Sequence, residues 1–218
     1  KLDKPGFGLK GVEDLLKKRK QIKMYSPTFI PEKQLVQEVV DKAFELTASK
    51  QNLMPYKVHI LGPEHKEYKE KFFELSKRNK GGGQNYNIKA PYLLIFTNRL
   101  VTNPNASTKT KIKLGHGYPM CDPIKYRTSK SNREHVALEV GMFAKTLTAL
   151  CMEKDFQVSY LLCFPDWQEN DSLWKELDFI KDPVVFSMQI GYESQNMTIT
   201  DNKIFEQKPE KEEIINWI

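Results

Sequence analysis

Three cations stand within five residues in the stretch Arg19-Lys20-Gln21-Ile22-Lys23-Met24-Tyr25. Arginine offers a planar fork that matches phosphate oxygens, and lysine offers a mobile point charge. Set among polar and apolar neighbours, such a cluster suits an anion held away from bulk water. The plainer reading is a solvated basic helix end, since Lys17 and Lys18 continue the run upstream. A second stretch, Thr47-Ala48-Ser49-Lys50-Gln51-Asn52-Leu53-Met54-Pro55-Tyr56, closes one helix and leads into a strand. No Ser/His/Asp or Cys/His arrangement stands out. Cys121, Cys151 and Cys163 show no CxxC spacing, and His59, His65, His116 and His135 are scattered, so no zinc site is expected. Gly81-Gly82-Gly83 lacks the strand–glycine–helix setting of a phosphate loop and reads as a surface break.

The elements that must position these stretches follow from hydrophobic spacing. Leu9, Val12, Leu15 and Leu16 predict a helix over 8–18, directly before the cationic segment. Pro31 suits the first position of a second helix, whose apolar face is Leu35, Val36, Val39, Val40, Ala43 and Leu46. Val58 to Leu61 reads as a short strand and 64–77 as a polar helix. Tyr92-Leu93-Leu94-Ile95-Phe96 is an unbroken apolar run, as in a central strand covered on both faces. Residues 98–130 show no sustained period, which marks either a functional lid or a mobile loop. From Arg133 to Lys154 apolar residues spread over more than one side, so a helix there must be buried nearly all round and suggests a dimer interface. An extended segment over 158–162, a helix over 166–179 and a strand over 183–192 complete the order. A polar tail over 192–218 ends in the apolar Ile214-Ile215-Asn216-Trp217-Ile218.

Composition narrows the function classes. The chain has 218 residues, 39% hydrophobic and 11% aromatic, which suits one α+β domain over 1–218. Its net charge of +6 comes from dispersed lysines interleaved with glutamates and only five arginines. Nucleic-acid binders concentrate basic residues on one face, so nucleic acid is not expected as a partner. A mild positive field instead attracts phosphorylated small molecules. No apolar run of the ~18 residues needed to span a bilayer is seen, and no membrane partner is expected. The first residues carry no signal-peptide apolar core, and the chain begins without Met, as a trimmed chain would. Three unpaired cysteines suit a reducing compartment, so the expected location is cytoplasmic.

Taken together, the two stretches resemble the nitroreductase-like family of FMN-dependent oxidoreductases. That family opens with a basic "R-x-S-x-R/K-x-F" segment and a "P-I-P" turn. Its next helix ends in "A-P-S-x-x-N-x-Q-P-W". Here Arg19, Lys23 and Tyr25 match the first pattern, and Phe29-Ile30-Pro31 matches the turn with Phe for the first Pro. Ser49, Asn52, Pro55 and Tyr56 match the second pattern, while Gln21 stands for Ser and Met54 for Gln. Ala90-Pro91 before a strand and Gly191-Tyr192 at the end of the last strand also match.

The resemblance implies a central, mostly antiparallel sheet flanked by helices, in an intertwined homodimer whose tail wraps the other subunit. It implies FMN as cofactor, NAD(P)H (NADH or NADPH) as electron donor, and a small-molecule acceptor such as a nitroaromatic or quinone. Arg19 would pair with the FMN phosphate and Lys23 would sit near the ribityl chain or the N1/O2 edge, with Lys20 and Gln21 along the same strip. Ser49 and Asn52 would come from the second subunit's motif or its edge, and Asn85 or Asn87 would stand at the pyrimidine edge. The family's Glu-Gly pair falls near Leu162-Cys163, and the tail cation that meets the phosphate would be Lys203 or Lys208. No protein group would be catalytic in its own right, because the flavin carries the chemistry. Two other readings stand beside this one: a non-catalytic or specialised flavin-binding relative of the same fold that holds or processes flavin differently, and a basic interaction module without cofactor.

Overall fold

A computed structural model describes residues 9–19, 22–77, 85–162, 172–194 and 209–216. Four strands form its sheet: β1 (Tyr56–Leu61), β2 (Tyr92–Asn98), β3 (Gln157–Leu161) and β4 (Val184–Gly191). Their order is β1-β2-β4-β3 and each pairing is antiparallel. Every residue of β2 is buried, as its continuous apolar run predicts for an inner strand with cover on both faces.

The two faces hold two different cores. Leu94, Phe96, Val158, Met188 and Ile190 face α2 (Lys33–Leu46) and α5 (Lys130–Glu153), against Val36, Val39, Val140, Phe143 and Leu147. The rings of Phe96 and Phe143 meet edge-on at 5.8 Å, a favoured aromatic geometry. On the other face Leu61, Leu93, Ile95 and Leu161 pack on Phe72 and Leu75 of α3 (Lys66–Lys77) and on Trp174 of α6 (Ser172–Glu176). By length and composition alone α5 could cross a membrane, but half of that window is buried in the first core.

Several boundaries depart from the sequence expectation. Pro31 precedes the N-cap Glu32 rather than opening α2, and its carbonyl accepts the Tyr92 hydroxyl at 3.0 Å. The aperiodic 98–130 region contains a helix, α4 (Ala106–Lys113), capped by the Asn105 side chain accepting from Thr108 N. Within one chain α5 is not buried all round: Ala137, Leu138, Gly141 and Met142 lie open along it. Of the helix expected over 166–179, the described part is α6, and 163–171 lies outside the described residues. The tail contributes one described turn of helix, α7 (Lys211–Ile214).

Candidate functional site

The cationic segment leaves α1 (Leu9–Lys18) and runs to the end of β4. Ile22 is buried, and Tyr25 forms an antiparallel bridge with Glu193. Ser26 N donates to Tyr192 O at 2.8 Å, and Ser194 N to Met24 O at 3.3 Å. The Tyr25 hydroxyl lies 2.8 Å from Ser159 Oγ and donates to Gln189 O at 3.2 Å. Asn87 Nδ2 reaches the same Ser159 Oγ and Gln189 Oε1 at 3.3 and 3.2 Å. Burial pushes the Tyr25 hydroxyl far above its usual range. Gly191 makes this path possible: a Cβ there would sit 2.7 Å from Tyr25 Cδ1 and 2.8 Å from Pro91 Cδ, closer than packed atoms allow.

Within this frame the two described cations of the segment have different settings. The Arg19 guanidinium carbon lies 4.7 Å from the centroid of the Tyr160 ring, a cation–π distance. The Tyr160 hydroxyl meets Thr148 Oγ1 of α5, which fixes the ring beneath it. Lys23 is exposed. Lys20 and Gln21 lie outside the described residues, as do Cys163, Lys203 and Lys208. Leu162, at the end of β3, is 66% exposed.

The second motif is built differently. Ser49 Oγ donates to Glu139 Oε2 at 2.6 Å and accepts from Met54 N at 2.9 Å. Lys50 N donates to the other Glu139 oxygen at 3.1 Å. Glu139 is 4% exposed, so these bonds satisfy a buried carboxylate. Gln51, Asn52 and Met54 all have left-handed backbones, φ 57, 53 and 43. Such conformations cost non-glycine residues on the order of 1–3 kcal/mol each and persist only where neighbours enforce them. The enforcers are Glu139, Arg99 with its Nε on Met54 O at 2.8 Å, and Asn105 with Nδ2 on Gln51 O at 2.6 Å. Asn105 caps α4, so the 98–130 region is tied to this loop. Asn52 itself is exposed.

Asn85 precedes a short 3-10 turn, Tyr86–Lys89, and its Nδ2 is buried without a hydrogen-bond partner among the described residues. The structure therefore joins Tyr25 and Asn87 through one polar cluster and places Arg19 on β3. It sets Ser49 apart, with its hydroxyl engaged inside the chain. Sequence reasoning missed Tyr160 and Glu139. A lone acid inside the apolar run Ala137-Leu138-Glu139-Val140 was the available signal for a buried partner.

The sequence matches no family model and no curated protein. Solved structures do match. A nitroreductase family protein from Streptococcus pneumoniae TIGR4 is 18% identical with a TM-score of 0.61, over 94% of this chain and 99% of that one. A protein from Staphylococcus epidermidis assigned as an NAD(P)H:FMN oxidoreductase is 14% identical with a TM-score of 0.68, over 95% of each chain. A protein from Exiguobacterium sibiricum assigned as a nitroreductase, solved in complex with FMN, is 13% identical with a TM-score of 0.68, over 95% and 97%. At these identities the likeness establishes the fold: this chain has the α+β nitroreductase-like fold.

Proposed function

We propose that this chain binds FMN along the Arg19–Lys23 segment and acts as an FMN-dependent oxidoreductase, taking hydride from NAD(P)H and passing it to a small electrophile. The observation that carries the reading is the placement of Arg19 and Lys23 on a segment pinned to the sheet, in a fold shared with an FMN complex. The donor set fits the group. Arg19 and Lys23 supply positive charge for a phosphate and for a ring that becomes anionic on reduction. Asn85 keeps a buried amide donor with no partner among the described residues, as a pyrimidine edge requires. When bound, the flavin supplies the hydride chemistry.

The chain's own residues bind and orient. Arg19 holds the phosphate end, and Tyr160 supports its guanidinium from below. Lys23 faces solvent and is free to swing toward the ring's N1/O2 edge. Tyr25, Asn87, Ser159 and Gln189 keep the segment in register with the sheet. Ser49 has a different part from that implied by its motif: it holds the Lys50–Met54 loop through Glu139 rather than offering its hydroxyl outward. Lys20, Gln21, Cys163, Lys203 and Lys208 remain candidates for the same site.

A homodimer belongs to this reading. Its support is the apolar surface that α2 and α5 leave open, with Phe44 59%, Leu46 57%, Leu138 63% and Met142 40% exposed. Such side chains on two packed helices want a partner. In the same reading the 98–130 region covers the site and the 192–218 tail wraps the partner. Light scattering should give twice the chain mass; a stable flavin-loaded monomer would refute the dimer.

Anaerobic addition of NADH or NADPH to the FMN-loaded protein tests the activity. Bleaching of the flavin band, with reoxidation by a quinone, is expected. A bound flavin that neither nucleotide reduces would leave a flavin-binding protein without reductase activity.

A further inference from the structure

A cavity of about 600 Å³ opens between the pinned segment, the start of α3 and the turn before β2. Its size is that of a small-molecule site. Neither Arg19 nor Lys23 lines it. Met24, Ile30, Pro91 and Tyr86 give it an apolar wall. Its charged groups are Lys66, Lys69, Lys89 and Glu70, three cations against one anion.

Those charges are unevenly satisfied. Glu70 pairs with Lys89 at 2.8 Å. Lys69 is 5% exposed, and its Nζ donates to Ala90 O at 2.9 Å and Pro91 O at 3.0 Å. An ammonium has three donors, so one remains after these two carbonyls. No carboxylate lies within ion-pair distance of Lys69 or Lys66 among the described residues. Burial lowers Lys69 to about 8; the Glu64 carboxylate offsets part of this and the neighbouring Lys66 charge adds to it. A buried cation in this state gains most from an anion brought to it.

We propose that this cavity binds a small aromatic carboxylate, with Lys69 as the charge partner and Lys66 as the rim cation. A single buried ammonium suits a single negative charge. The apolar wall and the Tyr86 ring suit an aromatic body rather than a bare inorganic ion. The assignment does not depend on the flavin reading, since neither Arg19 nor Lys23 lines the cavity; Tyr25 is common to both sites, and Tyr86 stands next to Asn85.

The test is a titration of the full chain with benzoate, followed by amide chemical shifts in ¹H–¹⁵N spectra, with benzyl alcohol as the neutral probe. Saturable shifts at the cavity residues are expected for benzoate, with affinity at least about tenfold weaker for benzyl alcohol. Lys69→Met should weaken benzoate by about tenfold or more. That variant also strips the donor from two carbonyls, so Lys66→Ala at an exposed position is the second variant. It should weaken benzoate about threefold with an unchanged melting temperature. Absence of saturable shifts, equal affinity for the neutral probe, or unchanged benzoate affinity in both lysine variants overturns the assignment. Competitive displacement of benzoate by FMN also overturns it, because the cavity would then be part of a flavin site. Benzoate binding in a protein that takes up no FMN would uphold this site and break only the flavin reading.

Discussion

The cationic segment and the Ser49–Met54 loop match two halves of one family pattern, yet they use their polar groups in opposite ways. The loop turns its groups inward: Ser49, Lys50 and Met54 close on Glu139 and on one another. Its left-handed backbone is held by Arg99 and Asn105. Among its described residues the segment turns Ile22 and Tyr25 inward and leaves Lys23 in solvent. A polar group already satisfied by the protein adds little to a ligand, whereas a cation held near the surface can still gain from one. The loop should therefore govern stability and the segment should govern binding.

Substitutions that break this division come first. Glu139→Ala removes a buried acceptor from the Ser49 hydroxyl and the Lys50 amide. Two bonds to a charged group at ~1.5 kcal/mol or more each predict a loss of about 3 kcal/mol in urea unfolding. A loss below ~0.5 kcal/mol would mean that the loop is not held this way. Gly191→Ala should cost about 2 kcal/mol, because the added methyl meets Tyr25 and Pro91 at under 3 Å. It should also weaken FMN by displacing the segment, an effect that Glu139→Ala should largely lack.

Tyr25→Phe sharpens the comparison at smaller scale. It removes the hydroxyl bonded to Ser159 and Gln189 and should cost about 1 kcal/mol at neutral pH. The pH dependence has a definite sign. The folded state holds the Tyr25 proton to a pH well above 10, the ordinary tyrosine value, at which the unfolded state releases it. The stabilisation is thus complete below pH 10 and is lost as the pH rises through the folded value. Wild type should lose stability above pH 10 more steeply than Tyr25→Phe, read from unfolding curves at pH 8 to 11. Parallel curves would place the hydroxyl in water. The smallest effect belongs to the exposed Lys18–Asp155 pair at 3.2 Å, where Lys18→Ala should change stability by less than about 0.5 kcal/mol.

How much of this was readable depended on whether a residue's environment is local. The run Leu93-Leu94-Ile95-Phe96 announced an inner strand because each of its side chains must find apolar cover, and all four are fully buried. The face of α2 was legible for the same reason. α4 was not, since Ala-Ser-Thr-Lys-Thr-Lys-Ile-Lys has no apolar period; Asn105 as a cap was its one local mark. The open side of α5 could not be told from a buried one, because Leu138 and Met142 look the same in sequence whichever surface covers them. Ser159, Ser187 and Gln189 face one way on neighbouring strands, but that follows only from a pairing register the sequence does not state. For the site, the motif located Arg19 and Lys23 on one segment. It could not reveal that Ser49 is engaged with Glu139, 90 residues away.

The most direct test of the division is a fluorescence titration of FMN into wild type, Arg19→Ala and Ser49→Ala under matched conditions. If the segment is the ligand's anchor, Arg19→Ala should weaken FMN between about tenfold and a hundredfold, the equivalent of ~1.5–3 kcal/mol, with little change in apo-protein stability. Ser49→Ala should destabilise the fold while leaving FMN affinity within about threefold of wild type at a temperature where it is folded. The opposite outcome, FMN affinity lost with Ser49 and unchanged without Arg19, would contradict the account.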